Sequence, residues 1–283
     1  MASMRDIKRR KSSIQSTQQI TKAMKLVSTV KLQRAKLRAE RSKAYFDCMY
    51  RTVNSMLAKA GSINHPYITG SDSPRKAVVV ITGNRGLAGG YNTNIIKLIT
   101  KGEFSKEELD IYAIGTKGRD ALARYGYQIK AAYGDLAEEP SFAEAMGISR
   151  TLLESFRTGE VGEIYLAYTA FKNTVSHEPK LIKLLPVDVP AESSAESTAM
   201  MNFEPKDDEA LELIIPKYVT SLIYGGLVES VASENGARMQ AMDSATSNAE
   251  EMIDSLSLMY NRARQGAITQ ELTEIIAGAE AIS

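Results

Sequence analysis

Tryptophan is absent from this 283-residue chain, histidine occurs twice, and Cys48 is the only cysteine. A lone thiol excludes an internal disulfide and fits a reducing compartment. His65 and His177 lie far apart, so a Cys/His zinc site cannot be assembled, although an all-carboxylate site stays open. The three residues are read as structural. Long apolar runs are also missing: stretches such as 78–81 fall far short of the roughly 20 residues that span a bilayer, so no crossing is expected. No apolar segment follows the basic start and Asp6 comes early, so neither a secretory signal nor an import peptide is expected.

Residues 1–60 lack both glycine and proline, the two residues that most disrupt helices. They are rich in Lys, Arg, Gln, Ala, Leu and Met. Apolar positions Ile7, Ile14, Ile20, Met24, Val27, Leu37, Tyr45, Met49, Val53 and Met56 recur mostly at steps of three and four or their sums. This predicts one helix too long for burial in a compact domain, which must protrude. After Pro205 the only proline is Pro216, expected to start or kink a second long helix. Its stripe is Met242, Ala245, Ala249, Met252, Leu256, Met259 and Ala263, a heptad seam.

The net charge of +1 conceals an asymmetry. Residues 1–59 carry 15 basic and 3 acidic side chains, whereas residues 207–283 carry 4 and 13. Each end has a stripe too narrow to stand alone in water, and opposite charge favours pairing of the two ends. Because a compact domain tends to bring its termini out together, one helix runs out and the other back. The expected result is an antiparallel coiled coil, a slender rod with few protruding anchors.

Between the ends the period changes. The run 76–82 is almost continuously β-branched, the mark of a strand covered on both faces. Further strands are expected at 109–114, 127–133 and 163–171, with helices near 92–101, 117–125 and 141–156. Alternation of this kind implies a mainly parallel sheet, with 179–185 as an added edge strand and 186–198 as a loop. The fold class is therefore α/β: a long antiparallel coiled coil plus a central Rossmann-like domain with a mainly parallel sheet. The proposed boundaries are 1–60, 75–190 and 207–283.

Two chemistries compete for this architecture. The loop ITGNRGLAGGYN at 81–92 stands between strand and helix as a phosphate loop would, but its glycines fit neither G-x-G-x-x-G nor the P-loop. A nucleotide-binding enzyme is the weaker reading. The basic N-terminal helix would attract nucleic acid, yet aromatics for stacking are missing before Tyr45 and the acidic helix would neutralise it.

The segments 5–36, 81–92 and 237–281 resemble, in order, the gamma subunit of the F-type ATP synthase. The pattern Ile268, Thr269, Glu271, Glu274, Gly278, Ala279 is the most specific part. Departures are Gly83 and Asn84, where the family usually has a small residue and Asp, and Gly266, where Ala is usual. The resemblance implies a non-catalytic central rotor without cofactors or metal. Its coiled coil would pierce a ring of alpha and beta subunits, and its α/β domain would sit with epsilon on a membrane c-subunit ring. It assigns Arg238, Arg264, Gln265, Thr269 and Glu271 to contacts with alpha and beta, with Met24 and Lys25 on the facing turn. The basic residues among them would meet an acidic loop of beta. The tail around Ile275, Ile276 and Ile282 would turn in an apolar sleeve. Phe203, Glu204 and Pro205 match the region near epsilon and the c ring. Lacking the paired cysteines of chloroplast forms, the chain is expected to belong to a bacterial, proton-coupled enzyme on the cytoplasmic side of the cell membrane.

Overall fold

The computed structural model describes residues 4–59, 65–134, 136, 138–187 and 207–280. Its first helix, α1 (Met4–Lys59), runs unbroken through the stretch that lacks glycine and proline. A short helix α2 (Pro66–Thr69) follows, capped by His65, whose Nδ1 accepts the Tyr67 N–H at 3.2 Å. Five strands and three helices then alternate: β1 (Lys76–Ile81), α3 (Tyr91–Thr100), β2 (Leu109–Ile114), α4 (Thr116–Arg124), β3 (Gln128–Tyr133), α5 (Phe142–Arg157), β4 (Glu163–Phe171) and β5 (His177–Leu185). The chain ends in α6 (Asp207–Glu280).

The strands form one sheet in the order β3-β2-β1-β4-β5. β1 pairs in parallel with β2 and β4, β2 pairs in parallel with β3, and β5 returns antiparallel to β4. The expected edge strand is thus present and begins two residues earlier, with Pro179 tolerated because β5 is an edge. β1 is buried on both faces, as its β-branched run requires. One face packs Val78 and Val80 against Ile95, Ile99 and Leu122 of α3 and α4. The other packs Val79 and Ile81 against Ile148 and Leu152 of α5 and Val219 and Ile223 of α6. Helix α5 starts at a capping box in which Ser141 and Glu144 bond each other's backbone N–H.

Pro216 neither starts nor ends the last helix: α6 begins at Asp207 and continues through it. Proline removes one backbone donor, and burial of Leu211, Ile215 and Val219 around it keeps the helix docked. One stretch of α6 is apolar enough to cross a membrane by composition, and more than half of it is packed inside the fold.

The chain comprises two compact units, Thr29–Arg238 and the pair Met1–Ser28 with Met239–Ser283. The first holds the sheet together with the later part of α1 and the early part of α6. In the second, the α1 and α6 segments lie antiparallel: Lys25 meets Asp243, Thr21 meets Thr246, and Gln18 meets Glu250.

Candidate functional site: a sealed crevice and a helix pair

In an open α/β sheet, ligands bind where the strand order reverses, outside the carboxyl ends of the strands. Here that point lies between β1 and β4. The loop after β1 is held tightly. The Gly83 N–H donates to Asn92 Oδ1 at 2.8 Å, Asn84 Nδ2 donates to the Gly134 carbonyl at 2.6 Å, and Asn84 Oδ1 accepts the Thr116 N–H at 3.0 Å. An Asp at 84 could not make the second of these bonds, so Asn preserves the turn in its own way. Gly115 closes the far side with φ 90°; a Cβ there would fall 2.1 Å from the Thr82 carbonyl oxygen.

Helix α6 occupies the crevice. Ser230 Oγ accepts the Thr169 N–H, Ser233 Oγ donates to the Thr169 carbonyl at 3.1 Å, and Glu229 Oε2 accepts the Phe171 N–H at 3.2 Å. The Glu234 carboxylate points at the loop, 2.6 Å from where a Cβ on residue 83 would stand, and is paired with Arg238. Arg238 also reaches the Gly86 carbonyl at 3.4 Å. Burial pushes Glu234 up from the usual carboxylate range, and the Arg238 guanidinium opposes it. Burial, with Glu234 beside it, also drives the Tyr91 phenol far up. A carboxylate of the chain itself thus lies against the loop after β1. Among the described residues, no group of three or more His, Cys, Asp or Glu is placed to hold a metal.

The helix pair has a seam of small and polar groups. On α1, Ile7, Thr21 and Ser28 are buried, with Ile14, Gln18 and Lys25 half-buried; on α6, Met242 and Ala249 are buried. Further along α6 the half-buried positions are Ile253, Leu256, Tyr260, Ala263 and Ala267. The expected seam was therefore partly out of phase. Ile20 and Val27 are 60% and 57% exposed, and Met252 and Met259 are 54% and 53% exposed. Thr21 and Thr246 can share a hydrogen bond at 2.8 Å, which lets two backbones approach where larger residues would hold them apart. The displaced apolar side chains line the outside, so the rod is not poor in anchors. The ion pair of Lys25 with Asp243 at 2.5 Å bridges the helices, while Arg5, Lys8, Arg9 and Arg10 face solvent.

Comparison with known proteins decides what this arrangement belongs to. A family model described as ATP synthase matches residues 3–282. The chain belongs to the ATP synthase gamma family. It is 63% identical over 291 residues to the ATP synthase gamma chain of Lachnoclostridium phytofermentans, covering all of both chains. It is 40% identical over 298 residues to the sodium ion specific ATP synthase gamma chain of Acetobacterium woodii, with 99% of each covered. A chain of the Euglena gracilis mitochondrial ATP synthase structure, OSCP/F1/c-ring in rotational state 3, matches its fold with a TM-score of 0.71 at 19% identity. That match covers 99% of this chain and 94% of the other. This gamma-type subunit thus shares its family with bacterial gamma chains and its fold with a chain of a mitochondrial ATP synthase.

The residues assigned from sequence fall into three places. Arg238 and its partner Glu234 are 13% and 10% exposed, so Arg238 is engaged inside the chain. Met24 is half-buried beside Lys25, which faces Asp243 across the helix pair. Arg264, Gln265, Thr269 and Glu271 are all exposed near the end of α6, with Thr269 Oγ1 bonded back to the Gln265 carbonyl at 2.9 Å. The helix continues through Gly266. Phe203, Glu204, Pro205 and Ile282 lie outside the described residues. Glu234 was missed, although its position four residues before Arg238 on one helix is the spacing of an ion pair.

Proposed function

We propose that this gamma-family subunit is the central rotor shaft of an F-type ATP synthase. In this reading, proton-driven rotation of a membrane c ring turns it inside a hexamer of alpha and beta subunits, with epsilon beside its α/β unit. The complex works at the cytoplasmic face of the cell membrane, and the chain performs no bond chemistry. The observation that supports this reading is the end of α6: Ile268, Leu272, Ile275 and Ile276 are 49–69% exposed, interleaved with Arg264, Thr269 and Glu271. An apolar face left uncovered on a helix calls for a partner. One asymmetric helix pair cannot present the same side to three equivalent subunits at once, so each orientation favours a different state at each site.

Arg264, Gln265, Thr269 and Glu271 then touch alpha and beta, with Met24 and Lys25 on the opposed turn. Phe203 and Glu204 are assigned to the epsilon and c-ring side. Co-purification on a tagged copy tests the reading: alpha, beta, epsilon and c subunits are expected with it. Recovery of the chain alone, or with nucleic acid, would refute it. Hydrolysis by the recovered complex that responds to sodium rather than to protons would overturn the choice of ion alone.

A further inference from the structure

Among the described carboxylates of the sheet-bearing unit, Asp110 and Glu234 are buried and Glu163 and Glu229 half-buried, and the first three of these hold a cation. Asp110 pairs with Arg75, Glu163 with Lys76 and Lys183, and Glu234 with Arg238. Glu229 on α6 is the exception. Its Oε2 accepts the Phe171 N–H, and among the described residues no Lys, Arg or His lies within ion-pair distance of it. An uncompensated carboxylate away from water is costly unless something neutralises it.

Glu229 closes one end of a cavity of about 130 Å³ between α1, the β4–β5 hairpin and α6. Phe46 and Tyr168 form its walls, and Met49 and Ile182 add aliphatic surface. Gly225 and Gly226 line its α6 side: a Cβ on residue 225 would come 3.8 Å from the Phe46 ring, and one on residue 226 would fall 2.9 Å from Leu166 Cδ2 and 3.4 Å from Tyr168 Cγ. The missing side chain at 225 leaves space beside the Phe46 ring, while Gly226 lets α6 lie close on Leu166 of the sheet. Aromatic faces, an apolar floor and one terminal carboxylate form a site for a cation on an aliphatic stem.

The geometry points to a binding site for a small primary alkylammonium, with its carbon chain along Gly225 and Gly226 and its head group on Glu229. The unused Glu229 oxygen accepts the ammonium, and the ring faces of Phe46 and Tyr168 flank the stem. Lys180 on β5 lowers the affinity of the Glu229 carboxylate for protons through its charge. Burial dominates and pushes Glu229 up from the usual carboxylate range, a shift that a bound cation reverses.

The test titrates n-butylammonium chloride into the full chain and follows the Phe171 backbone amide by NMR, with 1-butanol and sodium chloride as parallel titrants. A saturable shift is expected for butylammonium alone. Glu229→Gln keeps an acceptor for the Phe171 N–H and should weaken binding by about tenfold or more. Gly225→Leu fills the cavity beside Phe46 and should abolish the shift with the carboxylate intact. The proposal is overturned by the absence of saturation, by an equal response to butanol, or by unchanged binding in either variant.

Discussion

The carboxylate of Glu234 stands within 2.6 Å of the point a Cβ would take on residue 83, so Gly83 and Glu234 can coexist only because one of them has no side chain. That contact docks α6 on the loop after β1. Gly83→Ala should push Glu234 off Arg238 and destabilise the chain by about 1–3 kcal/mol, read by urea unfolding. An unchanged midpoint would show that the carboxylate swings aside freely.

Arg238 supplies the cation for that buried carboxylate. Arg238→Met should cost about 3 kcal/mol by leaving Glu234 uncompensated, whereas Glu234→Gln should cost less, and the double variant should recover part of the loss. Strictly additive effects in unfolding experiments would contradict this pairing. A loss of ATPase in the assembled complex without loss of stability would instead place Arg238 at a subunit contact.

His177 packs its ring against Gly236 of α6 and Phe171 of β4, with no well-formed hydrogen bond to either ring nitrogen among the described residues. Burial lowers its pKa below the ordinary 6.5, and the nearby Thr174 carbonyl opposes this only partly. The folded state therefore binds fewer protons than the unfolded state below that value. Stability contributed by the neutral ring is present above pH 6.5 and falls as pH drops towards the folded pKa. Melting temperature between pH 7 and pH 5 should fall more steeply for the native chain than for His177→Gln. Parallel curves would contradict the assignment.

The exposed end of α6 makes a different prediction. Replacing Thr269 and Glu271 together should leave the unfolding midpoint within about 0.5 kcal/mol of the native chain, because neither is buried. The same change should reduce hydrolysis by a reconstituted alpha-beta-gamma complex. Full turnover would remove both residues from the contact surface.

The sheet was legible because its signals are local: β-branched runs make β1 unmistakable, and Ser141 with Glu144 marks the start of α5. The helix pair was legible in direction but not in phase. Ile20 and Val27 advertise a seam by hydrophobicity, yet Thr21 and Ser28, one position on, are the buried residues. Close-packed helices select small side chains, whereas hydrophobic patterning selects large ones, and the two criteria differ by one residue here. The misplaced apolar row is itself informative, since a side chain not needed for pairing α1 to α6 is free to meet another subunit. Glu229 was invisible because its partner, the Phe171 N–H, is distant in sequence; for Glu234 the spacing to Arg238 was readable, but its contact with Gly83 was not.

The most direct measurement of the rotor account is single-molecule rotation. An assembled complex is fixed to a surface through its beta subunits, and a probe is attached to the sheet-bearing unit of this chain. With ATP, the probe should turn in one direction in steps of about 120°, the angle set by three equivalent sites. A stationary probe on a complex hydrolysing ATP at full rate would contradict the account.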